Sequence, residues 1–438
     1  MATDIALEPA VAPLSPPAAG PALRALLLLA LTITSAAAIR GVFSPLQEVA
    51  KLDLGLTDFQ MSLIQGVAAS VPIAILSIPL GRLVDRSSRH RLLVAMAALW
   101  TLGSILTAFS NGFGALFITR MLAGLGAVCS LPIAISMAAD LSAPDKRGRS
   151  LLLLSLGSVV GGASAFAVGG ALFGALSAQG AQLFAGLAPW RAVHLIFGLV
   201  SGALLLPLLA LREPVRLEVG EASAAIGPAL WSLWARRRFL LPLFVGQISV
   251  VMADTAATIW AAPVLTRDFH QQPADFGGWM GLALLVAGVF GAVFGGLSAD
   301  FGHRSHRKGG ILLGAVLCAG LSIPAALFPI MPTVAGFGVM LAVLLLAGAA
   351  TGLITATAIA VLVPNEIRGV CLGAFIVISS IIGLGIAPML VTFGSELLGG
   401  EAHLGMALAI TGVLTAGVSF VAFLLAMIHA PKTATDAG

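Results

Sequence analysis

Charged residues are scarce in this sequence. Asp, Glu, Lys and Arg make up 10% of its 438 positions, against 59% hydrophobic residues. A soluble domain has about 25% charged residues, so this chain has too few of them to cover a surface that faces water. The scarcity predicts an integral membrane protein. The net charge of +4 does not indicate nucleic-acid binding, because the basic residues lie in short segments between apolar runs.

Cysteine is also scarce, and the three that occur (Cys129, Cys318 and Cys371) lie far apart within apolar runs. An odd number of separated cysteines in a membrane favours buried packing residues over disulfides or metal ligands. The sequence has no phosphate-binding Gly-Lys-Ser/Thr loop, no catalytic constellation and no His/Cys cluster. We therefore expect no enzymatic activity, no ATP-driven transport, no cofactor and no metal.

Long apolar runs make up most of the chain. A membrane-spanning helix needs roughly 20 apolar residues, and twelve such runs occur. The longest polar interval, 212–238, predicts a cytoplasmic linker between two six-helix bundles, 22–211 and 239–430, in an all-α membrane protein. The segments 1–21 and 431–438 are predicted to be cytoplasmic tails, the first of them disordered and without the basic region of a signal peptide. The predicted spans are 22–47, 58–80, 91–110, 113–138, 150–175, 190–211, 239–266, 275–299, 309–330, 334–362, 369–398 and 403–430.

Lys and Arg are concentrated in alternate segments between the spans. With the N-terminus inside, 18 of the 23 basic residues fall on the cytoplasmic side, and Lys51, Arg191 and Arg267 fall on the external side. Basic residues favour the cytoplasmic side of a membrane, so both termini are predicted to be cytoplasmic.

Two polar turns recur at about half the chain length. The turn Gly81–Arg91 is repeated 215 positions later by Gly296–Lys308, and Pro144–Gly148 resembles Pro364–Gly369 in the corresponding place of the second half. Such repeats are typical of a duplicated transporter. The charged residues of these turns that we expect to form a cytoplasmic gate are Asp85, Arg86, Arg89, Asp145, Arg147, Asp300, Arg304, Glu366 and Arg368.

These turns and the segment Arg120–Gly126 resemble motifs of the major facilitator superfamily, and the resemblance covers nearly the whole chain. It implies a transporter, monomeric by family default, whose two halves rock around a central site. In that superfamily the residue equivalent to Asp85 meets the start of the eleventh helix, so the gate would stabilise the outward-open state.

A narrower resemblance is to the spinster-like branch, which is associated with export of lysolipids and sphingoid phosphates. Ile39 and Ala127 stand where that branch usually has acidic residues implicated in proton coupling, so coupling has either moved or is absent. The segments that carry this resemblance are 54–58, 140–144, 260–267, 362–365 and 383–388.

Arg40 and Arg120 are the leading candidates for a substrate site. A charge at bilayer depth costs at least ~2.5 kcal/mol, and a guanidinium suits a carboxylate or phosphate. Either arginine could therefore bind an anionic head group. The alternatives are structural: Arg40 could reach out to the membrane interface, and Arg120 could bond carbonyls of neighbouring helices.

Asp254 is the only carboxylate near the middle of a predicted span. It could couple transport to protons or pair with a substrate cation, or it could only hydrogen-bond Thr255, Thr258 and backbone. Further substrate-site candidates are Gln65, Gln247 and Trp260, and close helix packing is expected at Gly157, Gly161, Gly170 and Gly174.

The sequence thus predicts a secondary active transporter in the bacterial inner membrane, either proton-coupled or facilitative. The leading substrate is a small organic or amphipathic solute, anionic and lipid-like, so its expected partners are that solute, membrane lipid and protons. An uptake carrier for a water-soluble organic anion and a transport-inactive sensor or scaffold remain as alternatives.

Overall fold

The computed structural model of the protein describes residues 19–179, 186–214, 216, 226–305 and 307–431. Within these ranges, twelve helices are long and apolar enough to cross a membrane, and no strand occurs. The predicted all-α architecture is confirmed. The predicted tails lie almost wholly outside the described residues, and so do positions 215 and 217–225 of the predicted linker.

The first half contains spans 1 to 6. Spans 1 and 2 are each built from two α-helices, whereas spans 3 to 6 are single helices. Span 1 is Ala19–Gly41 and Phe43–Leu54, span 2 is Asp58–Ser62 and Ala68–Arg86, span 3 is Arg89–Thr107, span 4 is Phe113–Leu141, span 5 is Arg147–Gln179 and span 6 is Pro189–Leu209.

The second half contains spans 7 to 12. A short helix, Ile226–Ala235, which we call the linker helix, precedes span 7. Span 7 is Arg237–Asp268, span 8 is Pro273–Arg304, span 9 contains Leu313–Ala325, span 10 is Val334–Leu362, span 11 contains Asn365–Ser379 and Ala387–Leu397, and span 12 is Leu404–His429.

Span 1 extends beyond the apolar run that predicted it, and the additional turns carry charged residues. The helix continues to Leu54 and ends at Gly55, whose φ of 62° is the left-handed conformation that favours glycine. The side chain of Thr57 then accepts a hydrogen bond from the backbone N–H of Gln60, forming a capping box that starts span 2. Glu48 and Lys51 therefore lie on a helix and not in a loop.

The halves meet along spans 5 and 8, along spans 2 and 11, and where the end of span 1 meets span 7. Spans 5 and 8 approach closely because glycines of span 5 have no side chain in the way: a Cβ at Gly170 would lie 2.3 Å from a carbonyl oxygen of span 8, and Gly174 lies against the same span. Gly157 and Gly161 instead lie against span 1. Spans 2 and 11 contain the π-helical segments Leu63–Val67 and Ser380–Ile386, which contact each other.

The hydrophobic core differs at the two ends of the bundle. Near the end predicted to face outward, one buried cluster includes Phe43 and Trp190 of the first half and Trp260 and Phe276 of the second. Near the end predicted to be cytoplasmic, each half has its own cluster. The halves are thus packed into one core at the predicted outer face and have separate cores at the predicted cytoplasmic face.

Candidate functional site

A cavity of about 230 Å³ lies between the two halves. Spans 1, 2 and 4 of the first half and spans 7 and 11 of the second contribute to its wall. Four of the predicted site residues line it: Arg40, Gln65, Arg120 and Asp254. Residues from four different spans, separated by up to 214 positions in the sequence, are therefore brought to one site.

Arg40 presents its side chain to the cavity. It lies deep in the protein, yet the side chain is exposed, because the surface that it exposes is the cavity wall. Within the described residues, its guanidinium forms no hydrogen bond and no ion pair with the protein. The charge is therefore available to a bound molecule.

Arg120 lies beside Arg40 and is held by the backbone of span 1. Its Nη2 donates to the carbonyl oxygen of Arg40 at 2.8 Å, and its Nη1 donates to that of Ile39 at 3.4 Å. These carbonyls lie where the α-helix of span 1 is interrupted after Gly41, so the guanidinium supplies donors at a break in the helical ladder. The guanidinium carbon also lies 5.0 Å from the ring centroid of Phe43, a cation–π distance.

Asp254 lies across the cavity in span 7. Its carboxylate rests directly on span 10, since a Cβ at Gly348 would lie 1.9 Å from Asp254 Oδ2. Asp254 Oδ1 is enclosed and has no hydrogen-bond partner among the described residues. The hydroxyl of Thr258 donates to the backbone carbonyl of Asp254 at 2.7 Å and not to its carboxylate. A buried carboxylate with a purely structural role normally has hydrogen bonds to both oxygens, and Asp254 Oδ1 has none from the described residues.

Gln65 connects the cavity wall to a chain of amides. Its Nε2 donates to Ser44 Oγ and to Gln47 Oε1, both at 3.1 Å. Gln47 in turn donates to the carbonyl of Ile259 in span 7. This chain joins spans 1, 2 and 7 and therefore crosses between the halves beside the cavity.

Gln247 and Trp260 are not among the residues that line this cavity. Gln247 Oε1 accepts a hydrogen bond from Thr355 in span 10 at 2.9 Å. Trp260 is buried, and its indole N–H donates to the carbonyl of Pro388 in span 11 at 3.2 Å. Both side chains join span 7 to its neighbours within the second half.

Five charged side chains tie the halves together at the predicted outer face. Arg267 of span 7 contacts Glu48 at 2.7 Å and Asp58 at 2.6 Å. Lys51 contacts Asp58 at 2.7 Å and also pairs with Glu401, which lies three residues before span 12. Glu401 Oε1 further accepts from the backbone N–H of Asp58 at 2.7 Å. We call these five residues the outer cluster.

The outer cluster is not predicted by the sequence. The distribution of basic residues places Lys51 and Arg267 on the external side but indicates no partners for them. The available signal was that Glu48 and Lys51, three positions apart, would share one face of span 1 if the helix continued. Glu48, Lys51 and Asp58 are all buried, so the cluster belongs to the interface between the halves and is not a set of solvent-exposed ion pairs.

The predicted cytoplasmic gate residues are mostly exposed in this structure. Arg86, Asp145, Asp300, Arg304 and Glu366 have exposed side chains. Arg147 and Arg368 are half-buried, and Arg368 donates to the carbonyl of Val363 at 3.0 Å. The side chain of Asp85 lies outside the part of the chain that the structure describes.

Arg89 is the buried member of that predicted set, and its contacts stay within the first half and the linker. Its Nη1 pairs with Asp140 of span 4 at 2.5 Å, and its Nε lies 3.6 Å from Glu213. Glu213 also accepts from the hydroxyl of Ser88 and from the backbone N–H of Arg89. Burial alone would raise the pKa of Glu213, but these hydrogen bonds and the charges of Arg89 and Arg216 outweigh it and hold the pKa below its usual range. The segment after span 6 is thereby clamped to the turn between spans 2 and 3.

Comparison with known proteins supports the interpretation of the fold. The family model of the Major Facilitator Superfamily matches residues 28–388. A crystal structure described as a bacterial homolog to the human lysosomal transporter Spinster, inward-facing and unoccupied, superposes with a TM-score of 0.80 at 22% identity, covering 95% of this chain and 98% of that one. At that identity the likeness concerns the fold alone.

Two curated relatives match over part of their length. An MFS-type efflux pump of Mycolicibacterium smegmatis is 27% identical over 59% of this chain and 57% of its own. Protein spinster homolog 1 of Homo sapiens is 31% identical over 48% of this chain and 39% of its own. The alignments therefore span little more than half of the first relative and less than half of the second. The resemblance noted from the sequence, to the superfamily and to its spinster-like branch, is confirmed.

Proposed function

Because the chain belongs to the Major Facilitator Superfamily, we propose that it is a secondary active transporter of an amphipathic organic anion. The main support is the cavity between the halves, whose wall holds two arginines and, among its described residues, one carboxylate. The excess positive charge favours an anionic solute, and guanidinium groups suit carboxylates and phosphates.

The two arginines have different roles in this proposal. Arg40 binds the anionic group of the solute, because its guanidinium faces the cavity without a protein partner among the described residues. Arg120 is occupied by backbone carbonyls and by the ring of Phe43. It therefore keeps the helix break of span 1 in place, and its charge adds to the field at Arg40.

The apolar part of the wall supports a lipid-like solute over a small, fully polar one. Ile64, Ile73, Val128 and Leu384 line the same cavity as the arginines. A wall of this mixed kind fits a solute with an anionic head and a hydrocarbon portion, since each part meets a matching surface. The basic-residue distribution and the bacterial efflux-pump relative favour the bacterial inner membrane as its location, with both termini cytoplasmic.

The proposed alternating access depends on contacts between the halves that form at one end of the bundle when those at the other end separate. The outer cluster and the shared core join the halves at the predicted outer face, so in this proposal the described state is the one closed to the outside. Opening outward requires the outer cluster to separate and the cytoplasmic gate around Asp85, Asp300 and Arg368 to form. Asp254 lines the cavity, and its Oδ1 has no hydrogen-bond partner among the described residues. It is the proposed coupling residue, which takes up and releases a proton between these states.

The test measures binding to purified protein with three probes: lysophosphatidylglycerol, lysophosphatidylcholine and benzoate. A ligand present at 100 times its Kd stabilises the folded state by about 2.7 kcal/mol, which a thermal melt detects. We expect lysophosphatidylglycerol to stabilise the protein most. Arg40→Gln should weaken its binding by roughly tenfold or more, the loss typical of a charge-assisted hydrogen bond, and Arg40→Lys should weaken it less.

The matched control is Arg24→Gln, which removes an exposed arginine of the same span outside the cavity. It should leave binding unchanged. Unchanged binding in Arg40→Gln would refute the assignment of the head-group site. Stabilisation by benzoate but not by the lysolipid would favour an uptake carrier for a water-soluble anion.

A further inference from the structure

The linker helix carries two exposed tryptophans. Trp231 is 76% exposed and Trp234 is 54% exposed. Because they are three positions apart in a helix, they lie on one face. Tryptophan is enriched at membrane–water interfaces, where its apolar ring and its N–H both find partners. An exposed pair of tryptophans beside a membrane span is therefore expected to meet the head-group layer and not open water.

The other face of the linker helix is held by the protein. Leu233 packs against the buried cluster of the second half, and the helix contacts the start of span 11. The chain then passes through Arg236 directly into span 7, which begins at Arg237. The tryptophan face is thus presented within one helical turn of a membrane span, and its orientation is set by packing on the opposite side.

Three consecutive arginines, Arg236 to Arg238, adjoin the tryptophans. The guanidinium carbon of Arg237 lies 5.6 Å from the ring centroid of Trp234, so the cation and the aromatic ring share one surface. Arg237 and Arg238 are exposed. Within the described part of the chain, no carboxylate forms an ion pair with any of the three arginines. The positive charge at this surface therefore lacks a counter-ion from the described protein.

We propose that Trp231, Trp234, Arg237 and Arg238 form a docking surface for anionic phospholipid head groups, which we call the linker surface. The tryptophan rings enter the interfacial layer, and the guanidinium groups bind lipid phosphate with charge-assisted hydrogen bonds. A basic segment beside a span also sets the orientation of a protein in the membrane, but that effect does not require selectivity for one class of lipid. Selectivity for anionic over zwitterionic lipid is what distinguishes a docking surface from a topological signal.

The linker surface is connected to the moving parts of the protein. The linker helix contacts the start of span 11, and that part of span 11 also contacts span 2 of the other half. An anionic lipid bound at the linker surface therefore holds the linker helix and span 11 at one depth in the membrane. This role is independent of which solute occupies the cavity.

The experiment places the full-length protein in nanodiscs with brominated lipid, which quenches tryptophan fluorescence on contact. Brominated phosphatidylglycerol is compared with brominated phosphatidylcholine at equal mole fractions. The other four tryptophans are buried or half-buried, and the variant Trp231→Phe/Trp234→Phe supplies their background. The difference in fluorescence between the wild type and this variant is the contribution of Trp231 and Trp234. We expect that contribution to be quenched at a lower mole fraction of brominated phosphatidylglycerol than of brominated phosphatidylcholine.

The charge variant is Arg237→Gln/Arg238→Gln. A basic residue near an anionic surface contributes about fivefold in affinity, so this variant should shift the phosphatidylglycerol titration by roughly 25-fold. The matched control, Arg91→Gln/Arg149→Gln, removes two exposed arginines of the same predicted face and should leave the titration unchanged. Equal quenching by both lipids in the wild type, or an equal shift in the control variant, would overturn the proposal.

Discussion

Replacing Arg267 with Gln should shift the protein toward a state that is open at the predicted outer face. Arg267 reaches from span 7 to two carboxylates of the first half, Glu48 at 2.7 Å and Asp58 at 2.6 Å. Both carboxylates are buried. Without the guanidinium they would remain in a low-dielectric environment, and Lys51, which pairs with Asp58, would be the one cation left in the outer cluster.

The magnitude follows from the burial of these groups. Removing one partner of a buried ion pair costs about 3–5 kcal/mol. The Arg267 side chain is 19% exposed, so we take the lower end of that range. The cost falls on the closed state alone, because opening the outer face separates Arg267 from both carboxylates and hydrates them. At about 1.4 kcal/mol per tenfold, the ratio of closed to open protein should fall on the order of 10²-fold.

Spin labels across the predicted outer face measure this shift. Cysteines replace Asn111, between spans 3 and 4, and Pro332, between spans 9 and 10, both of which are exposed. The three native cysteines are buried and so should not compete for the label. Electron–electron distance measurements should show one short distance in the wild type and an added longer population in Arg267→Gln.

The control is Arg191→Gln at the same face. Arg191 pairs with Asp53 at 3.1 Å within the first half, so its loss breaks an ion pair without releasing one half from the other. The reasoning is refuted if Arg267→Gln leaves the distance distribution unchanged or if Arg191→Gln lengthens it equally.

Two further predictions concern Asp254 and Glu213. Asp254→Asn should make flux of lysophosphatidylglycerol in proteoliposomes insensitive to an imposed pH gradient while downhill flux persists, because an amide cannot exchange the proton; a gradient response equal to that of the wild type would contradict the coupling role. The lowered pKa of Glu213 means that its clamp on the turn at Ser88 is complete above the unfolded value near 4.5 and is lost as the pH falls through the lower folded value. The protection factor of the Arg89 amide, which compares its exchange rate with that of an unstructured amide at the same pH, should therefore stay constant from neutral pH to about pH 5 and should be lost as the pH falls through the lowered folded value. Glu213→Gln should show a smaller protection factor already at neutral pH, and an unchanged protection factor in the variant would argue against the clamp.

Part of the candidate site could be found from the sequence because it depends on single residues. A charge inside an apolar run is visible without a structure, which is why Arg40, Arg120 and Asp254 could be selected and why all three line the cavity. The different contacts of the two arginines could not be predicted from the sequence. Arg120 faces carbonyls released at a helix break and Arg40 faces open space, and that difference depends on where span 1 is interrupted.

By itself the sequence determined the twelve spans, their grouping into two related halves and the family, because hydrophobicity and local motifs are properties of contiguous residues. The outer cluster was decided only by the tertiary structure. Its residues are up to 353 positions apart between Glu48 and Glu401, and each one alone resembles an ordinary charge at the end of a span. Their energy comes from pairing in a buried interface, and only the packing of span 1 and span 2 against span 7 and span 12 brings the partners within reach.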